Sequence, residues 1–361
     1  MLRVAIIGTV GVPANYGGFE TLVENIIGEN ASDGVVYTIF CSSKAYHNKL
    51  ETYKGAQLKY IGLKANGAQS TLYDVVSMLK TTNRYDVALI LGVSGCIFLP
   101  IFRLWFRKRL IVNIDGLEHR RGKWGKFAKW FLRKSEAMAV KYADVVVADN
   151  RGIQEYVLGT YHRDSALIAY GGDHVKRSVA EDKQEEILKA YGVSKNQYAI
   201  SVCRIEPENN CQLILEAFAK ANMPLIYVGN WENSEYGRTL KRKYSKSAHI
   251  KIFNQEYDLD TLYTLRSNAS MYIHGHSAGG TNPSLVEAMF FGKPILAYDV
   301  VYNRATTFEQ AYYFKTAIEL TELINKTDLD GTAMMELAHQ AYTWEEIASQ
   351  YEALYIDNLH E

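Results

Sequence analysis

Cysteine is scarce in this chain. There are four in 361 residues, Cys41, Cys96, Cys203 and Cys211. None forms a C-x-x-C pair, and no histidines cluster at metal-ligand spacing. That excludes a disulfide framework and a zinc site, and the four read as reduced thiols. Long hydrophobic runs are also missing. The longest, Val87–Phe102, has 16 residues and contains Gly92, Ser94, Gly95 and Pro100. A membrane-spanning helix needs about 20 apolar residues, so this run reads as a buried strand, a glycine turn and a helix start. The opening MLRVAIIGTVG enters a strand and a glycine turn at once, without the apolar stretch and cleavage site of a secretory signal. A cytoplasmic location is expected. No repeat of solenoid period is present. No G-x-G-x-x-G follows the first strand, and no acid closes a strand about 20 residues later, which argues against a dinucleotide.

Net charge is absent too, with 40 Lys plus Arg against 40 Asp plus Glu. Its distribution is uneven. Between Ile101 and Lys134 there are 11 basic residues against two acids, Asp115 and Glu118, and seven aromatics lie among them. Such a block points to a local partner. Over Lys123–Ser135, helical spacing puts Trp124, Phe127, Ala128 and Phe131 on one face, with Lys126, Lys129 and Arg133 across from them. This is the pattern of a helix lying on an anionic membrane surface. A helix packed on a core with a solvated basic face has the same pattern. No nucleic-acid recognition motif accompanies the block, so no nucleic acid is expected.

With 48% hydrophobic and 22% charged residues, the chain has the composition of folded soluble proteins. Its length suggests two domains. Val-, Ile- and Leu-rich strands are expected at Arg3–Gly8, Val35–Cys41, Leu58–Ile61, Val87–Gly92, Leu110–Ile114 and Val145–Ala148, with a helix at Glu20–Asn30. A second set falls at Ala199–Val202, Leu225–Val228, Ile250–Phe253, Met271–Ile273 and Pro294–Ala297, with helices at Cys211–Ala221, Leu259–Ser267 and Pro283–Phe291. Continuous apolar strands alternating with helices predict α/β domains with doubly wound parallel sheets. The expected domains are 1–170 and 171–335, with the GGD at Gly171–Asp173 at the boundary and the helix Glu181–Tyr191 leading into the second. Met334–Leu359 reads as one acidic helix, so that 336–361 forms a C-terminal helix returning to the N-terminal domain. Two Rossmann-like domains are expected to face a central cleft, with ligands at strand carboxyl ends.

Four loops after strands carry candidate chemistry. The first, GTVGVPANYGGFE from Gly8 to Glu20, leaves bare backbone at Gly17 and Gly18, where a helix N-terminus favours an anion. A plain turn fits equally well. In the second, Arg204-Ile205-Glu206-Pro207-Glu208-Asn209-Asn210, Arg204 is suited to grip a diphosphate. A surface arginine paired with Glu206 or Glu208 is the competing reading. In the third, His274 to Met289, small residues precede a helix with Pro283 in its first turn. Main-chain amides at Gly280, Thr281, Asn282, Ser284 and Leu285 suit phosphate, and Glu287 suits ribose hydroxyls or simply the helix dipole. The fourth, Asn113 to His119, carries Asp115 and Glu118, whose functional and structural readings are balanced. His119 beside arginines reads as a surface residue.

The stretches GTVGVPANYGGFETLVENI, VCRIEPENN and HGHSAGGTNPSLVEAMFFGKPILA resemble the GT-B glycosyltransferases of family 4. The likeness is nearest to bacterial rhamnosyltransferase-like members that build capsule, cell-wall and exopolysaccharide repeats. The resemblance implies an N-terminal acceptor domain and a C-terminal donor domain. Gly17 and Gly18 then approach the donor diphosphate, Arg204 binds it, Glu287 binds the ribose, and the main chain at Phe253-Asn254-Gln255 lies by the base. It departs from the family at three positions: Asn209, expected to bind the donor by a neutral hydrogen bond to phosphate, replaces a lysine, Gly279 a glutamate and Asp115 a histidine. The catalytic candidates are Arg204, Asp115 and Glu118. The expected reaction is retaining transfer from a dTDP- or UDP-linked sugar, dTDP-rhamnose first, to a lipid-linked saccharide. No D-x-D motif is present, so metal-independent chemistry without a cofactor is expected. The enzyme is expected to be peripheral, on the inner face of the cell membrane. A sugar-nucleotide 2-epimerase and a non-catalytic nucleotide-sugar binding module are the alternatives.

Overall fold

The computed structural model describes residues 1–14, 17–29, 34–81, 83–122, 124–221, 223–356. The chain divides into two compact units. One comprises Met1–Tyr170 and the terminal segment from Trp344, and the other is Gly171–Thr343.

The first unit runs β1 (Leu2–Ile7), α1 (Gly18–Gly28), β2 (Val35–Ser42), β3 (Thr52–Tyr53), β4 (Ala56–Ile61), α2 (Ser70–Lys80), β5 (Val87–Leu91), α3 (Leu99–Phe102), β6 (Arg109–Asn113), α4 (Lys126–Tyr142), β7 (Val145–Ala148), α5 (Arg151–Tyr161) and β8 (Ala166–Leu167). Its sheet has the order β3-β4-β2-β1-β5-β6-β7-β8. Among the described residues only the β3–β4 pair is antiparallel. Every residue of β5 is buried, as a strand covered on both faces must be, and this is why Val-Ala-Leu-Ile-Leu shows no alternation.

The second unit runs α6 (Glu181–Tyr191), β9 (Ala199–Val202), α7 (Cys211–Phe218), β10 (Leu225–Val228), α8 (Glu235–Tyr244), β11 (Ile250–Phe253), α9 (Leu259–Ser267), β12 (Met271–His274), α10 (Pro283–Met289), β13 (Ile295–Tyr298), α11 (Val301–Thr306), β14 (Tyr312–Phe314), α12 (Ala317–Ile324) and α13 (Thr332–Ala341). Its six strands have the order β11-β10-β9-β12-β13-β14 and pair in parallel throughout. Sequence crossovers on both sides of the central strands make each sheet doubly wound, as the strand–helix alternation predicts. All four cysteines are free thiols.

The terminal segment differs from the single helix expected over Met334–Leu359. It holds α13 and, after a break, α14 (Trp344–Ile356); Leu359 lies outside the described residues, as does Asn30 at the end of the first expected helix. The break has a local cause. The Tyr342 carbonyl accepts from the Gly172 amide at 2.9 Å, and its buried hydroxyl donates to the Thr306 carbonyl at 3.0 Å. These bonds hold Tyr342 away from helical geometry. Beyond it, α14 inserts Trp344, Ile347, Tyr351 and Tyr355 into the first unit's core beside Ile6, Leu22 and Val23.

Candidate active site

In the second unit, the loops after β9 and β12 are fastened together. The Asn210 side chain donates to the Gly275 carbonyl at 2.8 Å. The amide and hydroxyl of Ser277 donate to the Glu208 carbonyl at 2.9 and 2.8 Å. Gly275 is required by proximity, since a Cβ there would stand 2.1 Å from the Asn209 carbonyl oxygen. Arg204 projects from this assembly with a side chain 41% exposed, and Glu206 stands 3.9 Å away. An exposed pair at that distance contributes little, so the guanidinium is open to an anionic ligand. Asn209 is not. It is buried, and its amide bonds the Arg204 carbonyl and His276.

Downstream, α10 begins with an Asx cap. Asn282 Oδ1 accepts from the Ser284 amide at 3.1 Å and its hydroxyl at 2.8 Å, and the Leu285 amide donates to the Asn282 carbonyl at 3.0 Å. Those two amides serve the helix end. Gly280, at φ 78°, and the buried Thr281 precede the cap. Glu287, one turn on, is held from two sides. Arg266 of α9 donates to its Oε2 at 2.6 Å, and His174 Nε2 lies 3.6 Å from Oε1. Burial alone raises the Glu287 carboxyl, but the Arg266 charge and the His174 contact outweigh it and bring it down to about 2. The group is a fixed carboxylate. Phe253 ends β11 with its ring 4.4 Å from that of Tyr191. Its carbonyl accepts from the Gly229 amide at 3.1 Å and the Trp231 indole at 3.0 Å, which leaves the exposed Asn254 and Gln255 beyond it.

In the first unit the glycine loop is held by carboxyl groups of its own helix. Glu20 of α1 is buried and accepts from Thr9 Oγ1 at 3.0 Å and from the Val10 amide at 2.6 Å. Burial pushes its carboxyl up against those bonds, and the nearby Asp115 charge adds to the push. Glu24, one turn later, accepts from the Ala14 amide at 2.5 Å. Gly17 caps α1 at φ 130°, where a Cβ would meet Glu20 Oε2 at 1.9 Å. Gly18 packs on Tyr170, and Asn15 and Tyr16 lie outside the described residues. The sequence reading missed both glutamates, although their spacing of four behind a glycine turn was the available signal.

Asp115 follows β6 at φ 59°, and its amide donates to Asn113 Oδ1 at 2.9 Å. Glu118 turns inward to its own loop, accepting from Arg121 at 2.8 Å and from the Trp124 indole at 2.9 Å. His119 is not the surface residue expected. Its Nδ1 lies 3.0 Å from the carboxylate of Glu136, which also accepts from Tyr156 at 2.8 Å and Tyr161 at 2.7 Å.

The basic helix also differs in detail from its expected face. Helix α4 starts at Lys126, so Trp124 precedes it, and Lys123 lies outside the described residues. Leu132, Ser135, Glu136, Ala139 and Val140 form the buried side. The outward rings are Phe127 and Trp130, 78% and 57% exposed, with centroids 5.9 Å apart. Lys126, Arg133 and Lys134 are exposed around them. Ile101 of α3 and Leu104 just beyond it are also exposed, 51% and 71%, and α3 packs on α4. Among the described residues no helix is long and apolar enough to cross a membrane, and no acidic, histidine or cysteine group is arranged to hold a metal.

Known proteins resemble the chain in two ways. Residues 1–173 match a domain of unknown function (DUF1972), and residues 183–342 match the glycosyl transferases group 1 family. No curated protein matches the chain in sequence. Among solved structures, sucrose-phosphate synthase from Thermosynechococcus elongatus superposes with a TM-score of 0.80 at 16% identity, covering 98% of both chains. Anabaena HepE in complex with UDP gives 0.75 at 15% identity, again over 98% of both chains. The catalytic domain of starch synthase IV from Arabidopsis thaliana, bound to ADP and acarbose, gives 0.68 at 13% identity over 98% of each. The group 1 match and the two doubly wound units lead to one conclusion: the chain is a glycosyltransferase with the GT-B fold.

Proposed function

We propose that the enzyme transfers a hexose, rhamnose from dTDP-rhamnose in the first instance, to a lipid-linked saccharide in bacterial cell-surface polysaccharide synthesis. The observation that carries the donor class is the fixed Glu287 carboxylate, in the same unit as the exposed Arg204. A carboxylate kept ionised and oriented by Arg266 and His174 is suited to accept from a pentose hydroxyl of the nucleotide, which in dTDP is the 3′-hydroxyl. An arginine with only a distant partner is suited to a diphosphate. As the glycosidic bond breaks, negative charge grows on the leaving diphosphate, and a prepositioned guanidinium stabilises it. Anabaena HepE, of the same fold, was solved with UDP and with UDP-glucose, which supports a nucleotide-sugar donor. Retention of configuration rests on the resemblance to family 4. Asp115 is the acceptor-side acid in this reading. Glu118 shapes its loop through Arg121 and Trp124, and Glu20 and Glu24 hold the Val10 and Ala14 amides of the glycine loop. The exposed rings of α4, ringed by lysine and arginine, support docking on an anionic membrane surface, where a lipid-linked acceptor resides.

Thermal stabilisation by dTDP, UDP, GDP, ADP and NAD tests the donor assignment. One nucleoside diphosphate raises the melting temperature, and Arg204→Ala and Glu287→Ala abolish the rise. A shift with NAD alone, or with none of them, overturns it. Transfer from dTDP-rhamnose to a polyprenyl-diphosphate-linked saccharide then tests the sugar and acceptor.

A further inference from the structure

Asn209 stands where the family resemblance places a lysine, yet its surroundings are those of a strut. It is 2% exposed. Its Nδ2 donates to the Arg204 carbonyl at 2.6 Å. A carbonyl only accepts, so the amide oxygen is the end that meets His276 Nδ1, 2.7 Å away. That oxygen also only accepts, so Nδ1 of His276 carries the proton. His276 is itself buried, and its carbonyl accepts from Asn303 Nδ2 at 2.8 Å. Asn303, 2% exposed on α11, also holds the Tyr298 carbonyl at 2.8 Å. A relay thus runs from the end of β13 through Asn303, His276 and Asn209 to the main chain of Arg204.

We propose that Asn209 and His276 are positioning residues for the transfer: they set the main chain from which Arg204 reaches the donor diphosphate, and Asn209 does not touch phosphate. This rests on the reading of Arg204 as the diphosphate residue. A direct phosphate ligand improves on gaining a charge. A buried strut fails on gaining one, because a lysine cannot accept from His276 and brings a charge into a buried place.

The test uses the whole chain, with calorimetric binding of dTDP and UDP and ligand-observed NMR of thymidine and uridine. Asn209→Lys is expected to weaken diphosphate binding about tenfold or more, the effect of losing a charge-assisted contact, and to leave nucleoside binding in place. His276→Leu does the same, and His276→Gln, which retains a donor, restores binding to within about threefold. Nitrogen NMR of the unaltered protein shows His276 as the Nδ1–H tautomer. Tighter, more salt-sensitive binding in Asn209→Lys, or an Nε2–H tautomer, overturns the proposal. Arg204→Ala separates the two levels. If it leaves diphosphate binding intact, the donor-site reading fails. If it weakens binding and the relay variants do not, only the positioning role fails.

Discussion

Replacing Glu287 with glutamine tests the energetics of the donor-side carboxylate. Arg266 and His174 outweigh burial and bring this carboxyl from an ordinary 4.5 to about 2. At about 1.4 kcal/mol per factor of ten, the displacement corresponds to about 3 kcal/mol of stability. The folded-state pKa is lowered, so this contribution is complete above about 4.5 and is lost as pH falls toward about 2. Glutamine also leaves the Arg266 side chain, only 5% exposed, without its counter-charge, and losing a buried partner costs about 3–5 kcal/mol. For a unit of this size each kcal/mol moves the melting temperature by about 2–4 °C. At pH 7 the second unit of Glu287→Gln is expected to melt about 6–20 °C below the parent. Scanning calorimetry at pH 7, 5 and 3.5 follows the two proteins, and the gap closes toward acid. Equal melting at pH 7, or a gap as wide at pH 3.5 as at pH 7, refutes the assignment of a buried, ionised pair.

Asp74 gives the opposite sign. It is 3% exposed, and burial raises its carboxyl to about 7 against hydrogen bonds from Ser94 and the Gly95 amide. The folded pKa is raised, so the parent loses stability as pH climbs from about 4 to about 7. Asp74→Asn is then expected to gain on the parent by about 2–4 kcal/mol at pH 8 relative to pH 4, and urea unfolding that shows a pH-independent gap refutes this. Gly275→Ala forces a methyl to within 2.1 Å of the Asn209 carbonyl. A loss of about 1–3 kcal/mol and a smaller dTDP-induced shift are expected, and parental melting with parental dTDP response sinks the argument for close loop contact. Changing both Phe127 and Trp130 to serine is expected to alter stability by no more than about 0.5 kcal/mol each while abolishing sedimentation with vesicles containing phosphatidylglycerol. Undiminished sedimentation removes α4 as the membrane face.

The sheets were readable because strands such as Val87–Leu91, buried on both faces, must be apolar without alternation. The loop before α10 was readable because Pro283 and the small residues ahead of it mark a helix start. What escaped were partnerships made across the fold. Arg266 lies 21 residues before the carboxylate it holds, and on sequence alone it is one more helical arginine. His119 sits among arginines in the chain, but in space it sits against Glu136. Asn209 shows the same gap. Its residue type suggests a phosphate contact, and only its two hydrogen-bond partners reveal that the amide is already engaged. The break at Tyr342 depended on a bond to Gly172, 170 residues earlier, which no helical periodicity encodes.

The return of α14 to the first unit governs how the chain is made. Asn113 bonds Tyr351 across 238 residues, and Trp344, Ile347 and Tyr355 complete the same core. A ribosome therefore finishes the whole of Gly171–Thr343 before it supplies the piece that closes the first sheet. The usual N-to-C order of domain completion is inverted here: the second unit is free to fold while the first waits, its apolar seam along Ile6, Leu22 and Val23 uncovered. A nascent chain cut one helix short would carry that seam permanently, as a surface for chaperones and proteases.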